Sequence, residues 1–210
     1  MSDCCELDNK ELDLAKKKEL KQTFITVLAI NFVMFVVEFI GGIVASSNAL
    51  FGDSLDMLGD ASVYGISLLV INRPSNIRAK ASLIKGFIML LLGFFVVYKS
   101  ILKIIMPTVP QAEIITLLGV AALIANLVSF LLLMNRRKED INVRSAWICS
   151  RNDVTANVAV IGAGLLVSYF NSAWPDILVG LGISFIIIQS SIQVIIEAYK
   201  HSLVKEKINV

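Results

Sequence analysis

The sequence predicts an all-α, polytopic membrane protein: six transmembrane helices with both termini in the cytoplasm. Three observations carry that prediction, namely an apolar composition, six apolar runs of spanning length, and Lys and Arg gathered on alternate connections. Of 210 residues, 56% are hydrophobic and only 17% are charged, with a mean hydropathy of +0.76. An ordinary soluble domain is about 45–50% apolar and about 25% charged. A net charge of +2 leaves no basic footprint of the kind nucleic-acid binders carry, so no nucleic-acid partner is expected. Three cysteines cannot build a disulfide framework.

The chain begins with a charged stretch, MSDCCELDNKELDLAKKKELKQ. It is too acidic for the basic start of a signal peptide, and the apolar run after it exceeds the 7–15 residues of a typical signal core. The first helix is therefore read as retained. A spanning helix needs about 20 mostly apolar residues, and the chain supplies runs near 23–46, 49–71, 82–105, 113–134, 144–168 and 176–199. The separators SSN, NRPSNIRAK, PTVPQ, NRRKEDINVR and FNSAWP are polar or turn-prone. Pro107 and Pro110 part the third helix from the fourth, and Pro175 suits the first turn of the sixth. The period-2 alternation of membrane strands is absent.

Positive loops stay in the cytoplasm. All Lys and Arg except Lys99 and Lys103 fall in the N-terminal stretch, in or beside the second and fourth connections, or at the C-terminal end. Both termini are thus placed inside, which requires an even number of spans. About ten residues follow the sixth run, and no soluble C-terminal domain is expected there.

Ionisable groups in a membrane are costly and face a cavity or a partner. The second helix carries Asp53, Asp56 and Asp60 at spacings of three and four, which places them on one face. On the fifth, Cys149, Asp153 and Asn157 form a stripe at spacings of four. Asn31 and Glu38 share roughly one face of the first helix, and Asn126 interrupts the apolar fourth. Acids at i, i+4 in lipid repel unless a cation lies between them, and a divalent ion would supply that charge. Asp56, Asp60, Cys149 and Asp153 make four ligands from two helices, enough for a tetrahedral shell. At about 1.5 Å per residue both pairs come near the middle of a core about 30 Å thick.

The segment NFVMFVVEFIGGIVASSNALFGDSLDMLGDASVYGISLLV resembles the first two helices of the cation diffusion facilitator family. SAWICSRNDVTANVAVIG is similar to its fifth helix, and WPDILVGLGI to the start of its sixth. The resemblance covers residues 23–199, and its most specific element is the paired i, i+4 motif. It implies a proton-coupled exporter of divalent metal, a secondary active transporter and not an enzyme, that binds its cargo with Asp56, Asp60, Cys149 and Asp153. Zinc-selective members usually have histidine where this sequence has Cys149. Most also carry a cytoplasmic C-terminal metal-binding domain that aids dimerisation; short members do not, and a homodimer would then be held by membrane helices.

The domain reading that follows is a charged cytoplasmic tail at 1–22, a six-helix cation efflux domain at 23–200 and a short cytoplasmic tail at 201–210. The place expected is the bacterial inner membrane. No permanent cofactor is expected, only transported zinc, cadmium or cobalt and protons, since a thiolate favours softer metals than carboxylates alone. A membrane metal sensor or scaffold, and an organic-cation/proton antiporter, are the alternatives. An intramembrane aspartyl protease would need Gly-x-Gly-Asp, which does not occur.

Asp53 reads as structural or as a metal contact near the outer mouth. Asn31, Glu38, Asn126 and Asn157 read as interhelical hydrogen-bonding or pathway groups, and Asp176 as an N-cap or first-turn acid. Cys4 and Cys5 are candidates for capturing soft cations at the cytoplasmic face, and His201 reads as interfacial. Gly41, Gly42, Gly162, Gly164, Gly180 and Gly182 are expected to allow close helix packing.

Overall fold

The computed structural model describes residues 2–70, 75–135 and 141–206. Side chains are described over 18–19, 21–62, 65, 80, 83–84, 86–135, 147, 150–196 and 198. Among the described residues, six helices account for the regular structure: α1 (Ser2–Val44), α2 (Asn48–Val70), α3 (Ser75–Ile105), α4 (Ala112–Met134), α5 (Ile141–Phe170) and α6 (Trp174–Glu206). Each apolar run became one helix. Several helices extend beyond their apolar runs at the end that carries the chain termini. α1 starts at Ser2, because the charged stretch is rich in Glu, Leu and Lys and has no Gly or Pro to stop a helix.

Five helices are long and apolar enough to cross a membrane: the segments are 21–44, 86–105, 112–134, 150–170 and 174–196. The sixth, α2, carries three carboxylates within eight residues. Its place in the bundle explains how it tolerates them. Among the described residues, α2 packs against every other helix, whereas α1 meets only α2 and α4, and α3 only α2 and α6. The helix with three closely spaced carboxylates is thus the central one, packed against all five others. Leu91, Leu117, Tyr169 and Phe185 stay exposed on the outside, as a lipid-facing surface requires.

The α1–α2, α3–α4 and α5–α6 connections gather at one end, here called distal; the termini mark the other. α1 ends in a Schellman turn. Ser46 adopts the left-handed conformation at φ 52°, while Ser47 N–H bonds Gly42 O at 2.9 Å and Ser46 N–H bonds Ile43 O at 3.2 Å. Asn171 plays the left-handed part after α5, at φ 46°. Gln111 N–H then reaches Ala45 O at 3.0 Å, stitching the start of α4 to the α1–α2 turn. Below this lid lies the main core, with Leu50, Leu55, Met89, Val96, Ile115, Val160 and Ile187 contributed by five helices. A smaller cluster of Val27 and Leu133, with Phe24, Leu28 and Trp147, sits toward the terminal end.

Glycine matters where α6 crosses α2. A Cβ on Gly180 would stand 2.8–2.9 Å from Asn48 backbone and Cβ atoms, so only glycine lets the two backbones meet. Gly162 and Gly182, expected to pack as closely, have nothing within 4 Å of such a Cβ. They sit on open faces, a distinction that spacing alone does not reveal.

Candidate metal centre

The acids of α2 descend the central helix one turn at a time. Asp53 is fully buried, and Asp56 and Asp60 are half-buried. From α5, half-buried Asp153 meets them: its carboxyl lies within hydrogen-bond reach of Asp60 and in the electrostatic field of Asp56 and Asp53. Of the four ligands expected from the sequence, Asp60 and Asp153 therefore meet between α2 and α5, with Asp56 near enough to act on Asp153 through its charge. Cys149 lies in α5 one turn before Asp153, but its side chain is outside the described residues, as are those of Cys4, Cys5 and His201. Among the described residues, no group of three or more His, Cys, Asp or Glu closes into a metal shell. The carboxylates approach one another in pairs.

Distal to this point, a polar chain crosses four helices. Asn126 of α4 donates through Nδ2 to Asn157 Oδ1 at 2.9 Å. Asn157 of α5 donates through its own Nδ2 to Asp53 Oδ2 at 2.6 Å. Asp53 of α2 lies in turn within hydrogen-bond reach of Glu38 on α1. Ser150 adds a hydroxyl donated to the Asn126 carbonyl at 3.3 Å. Asn31, by contrast, bonds back to Val27 O of its own helix at 2.9 Å.

At the distal end the bundle holds a second carboxylate of a different kind. Asp176 sits in the first turn of α6, where the sequence places an acid serving its own helix. Its carboxylate serves α2 instead. It accepts Asn48 N–H at 2.9 Å, Ala49 N–H at 3.1 Å and the Ser47 hydroxyl. The Lys103 ammonium completes the set at 2.8 Å and also donates to Ser46 O. Ser47 is the N-cap of α2, its hydroxyl oxygen accepting Leu50 N–H at 3.1 Å. Asn48 donates its side-chain amide to Ser100 of α3 at 3.1 Å. Ser47, Ser100 and Lys103 escaped the sequence reading; the available signal was a Ser–Ser–Asn turn ahead of an apolar run, which marks an N-cap. Lys99, one turn before Lys103, lies over the Phe51 ring at 4.4 Å from its centroid, a cation–π contact.

A six-helix bundle with its acids drawn onto a central helix is a polytopic membrane protein built around an internal polar site. The chain belongs to the cation efflux family: residues 24–201 match the cation efflux transmembrane domain. It is similar to the metal cation efflux system protein CzcD of Cupriavidus metallidurans, 24% identical over 189 residues, covering 81% of this chain and 60% of that protein. It is also similar to the zinc transporter ZitB of Pectobacterium atrosepticum, 26% identical over 197 residues, covering 88% and 60%. The cadmium, cobalt and zinc/H(+)-K(+) antiporter of Bacillus subtilis is 24% identical over 186 residues, covering 80% and 60%. The chain thus spans about 60% of the length of these relatives. The resemblance to cation diffusion facilitators holds, and multi-pass insertion with bacterial relatives agrees with the inner membrane.

Proposed function

We propose that this chain exports divalent transition metals, zinc and cadmium foremost and cobalt next, from the cytoplasm in exchange for protons. The relatives are named as a metal cation efflux protein, a zinc transporter and a cadmium, cobalt and zinc antiporter, and the observation that most supports a like task here is the meeting of Asp60 and Asp153 between α2 and α5. Two carboxyl groups at that range do not both keep a negative charge unless a cation or a proton sits between them. An incoming divalent ion supplies that charge, and Asp56 and the Cys149 thiolate complete the ligand set. Without metal, protons take its place and titrate as a coupled group.

Exchange follows from this competition. Metal entering from the cytoplasm expels the protons, and protons arriving from outside expel the metal. Rocking of helices about the fixed site gives access to one side at a time. The carboxylates alone suit magnesium or manganese; a thiolate among them turns preference toward zinc and cadmium. The ions are cargo, and no resident cofactor takes part.

The test is flux into proteoliposomes of zinc, cadmium, cobalt and manganese with an imposed pH gradient. Zinc and cadmium flux should increase with the gradient and fall when a protonophore collapses it. Rates indifferent to the gradient would remove proton coupling, and absence of flux for every metal would remove transport.

A further inference from the structure

We propose that Glu38 is a proton-binding site in its own right, set against Asp53 on the distal side of the metal ligands. The proposal rests on the proton-exchange reading above and assigns one exchanged proton to an atom outside the ligand set. Glu38 is fully buried, and among the described residues neither Oε1 nor Oε2 receives a hydrogen bond from an N–H or O–H group. The group within hydrogen-bond reach is the Asp53 carboxylate, which has no hydrogen of its own to give when ionised.

The direction of the neighbouring bonds says where a proton belongs. Asn126 donates to Asn157, and Asn157 donates to Asp53. Each amide spends its N–H toward Asp53, so Asp53 is the acceptor at the end of the chain. On the other side stands Glu38, and a carboxyl group donates only when it carries a proton. A proton on Glu38 gives Asp53 its second donor and turns two opposed acceptors into one bond.

The surroundings fit this placement. The helices packed against α1 are α2 and α4. From α2, Asp53 and Asp56 bear on Glu38; from α4 the nearby polar group of the chain is neutral Asn126. α5 brings neutral Asn157 to Asp53, with Asp153 beyond it. Lys103 is committed to Asp176, and Lys99 lies over Phe51. Along α2, Asp53 stands about 8 Å from the distal end, against about 12 Å for Asp56 and about 18 Å for Asp60. A proton entering from the distal side, read as the outside, therefore meets the Glu38–Asp53 pair before the metal ligands.

The step balances simply. When metal occupies the ligands, the Glu38 O–H bond breaks, the electron pair stays on the carboxylate, and the proton leaves to the water on the open side. The cation's positive field stabilises the charge left behind. When metal departs, Glu38 takes a proton back.

The experiment measures protons released per zinc or cadmium bound, in weakly buffered solution, by the full chain in nanodiscs. Glu38→Gln keeps the shape and a donor for Asp53 but has nothing to titrate. It should still bind metal and release about one proton fewer per ion than the wild type. Its flux in proteoliposomes should respond less to the pH gradient. Asp53→Asn removes the acceptor that holds the proton and should show the same deficit, so it decides the matter where Glu38→Gln fails to fold. An unchanged proton count in the folded variants overturns the proposal. A potassium requirement of wild-type flux that disappears in Glu38→Gln with the proton count intact also overturns it, in favour of a monovalent metal ion at this place. A wild type that releases no proton overturns the exchange reading itself, and this proposal with it.

Discussion

The bundle treats its buried acids in two opposite ways, and the contrast runs along a single helix. At the distal end of α2, Asp176 is held by an ammonium, a hydroxyl and two backbone N–H groups. One to three turns further along, Asp53, Asp56 and Asp60 face other carboxyl groups and amides. A carboxylate surrounded by fixed donors keeps its charge and its neighbours in every state, so it works as a joint between α2, α3 and α6. A carboxylate opposed by another acid has a place for an exchangeable cation or proton. The same residue type makes a structural joint or, as proposed above, a binding site according to what is arranged around it.

The largest effect expected on this contrast is at the exchangeable acids. Asp153→Asn or Asp56→Asn keeps size and hydrogen bonding while removing charge that a metal needs, so the variants should insert and fold with transport near background. Robust zinc or cadmium flux through both would remove the proposed site. Because protons compete for the same oxygens, apparent metal affinity of the wild type should rise with pH, and binding isotherms at several pH values check the sign.

The joint should answer differently, in stability and not in chemistry. Asp176→Ala leaves the Lys103 ammonium buried without its counter-ion and strips the first turn of α2 of two acceptors. Breaking a buried pair in this way typically costs about 3–5 kcal/mol. Thermal unfolding in detergent should show the loss, and Asp176→Asn, which retains an acceptor oxygen, should lose less. A melting temperature unchanged in Asp176→Ala would show that the joint bears no load.

Smaller effects sharpen the comparison. Gly180→Ala sets a methyl group against the Asn48 backbone beside that joint, an overpacking expected to cost about 1–3 kcal/mol. Gly182→Ala, on an open face, should stay within about 0.5 kcal/mol of wild type, and equal melting of the two would refute the close approach. Smallest is a change of selectivity. Cys149→His exchanges an anionic soft ligand for a neutral, harder one and should transport zinc while losing cadmium relative to zinc. Cys149→Ser should lower flux of both. A cadmium-to-zinc ratio of initial rates that is the same in wild type and both variants would make Cys149 a packing residue.

Helix periodicity made much of the site legible from residues alone. Spacings of three and four put Asp53, Asp56 and Asp60 on one face, and the depth of Asp153 in α5 put it level with Asp56 and Asp60; Asp60 and Asp153 do meet. What periodicity did not carry is the division of labour among these acids. Asp176 is a first-turn acid of α6, as its place suggested, yet its carboxylate binds the first turn of another helix, 128 residues away in sequence. Asn31 and Glu38 shared a face, yet one turns back to its own helix and the other reaches Asp53.

The sequence by itself determined the number, apolar runs and polar stripes of the helices, because these depend on local spacing, turn chemistry and the length needed to cross a bilayer. Only the tertiary structure decided that α2 stands at the centre, that Gly180 and not Gly182 is the point of close contact, and that Asp53 joins Glu38 to Asn157 and Asn126. The reason is physical. In a membrane, lipid tails and neighbouring helices are about equally apolar, so a hydrophobic pattern does not say which face meets which. That choice falls to close packing at small residues and to hydrogen bonds between polar groups far apart in the chain, and neither can be read until the helices are assembled.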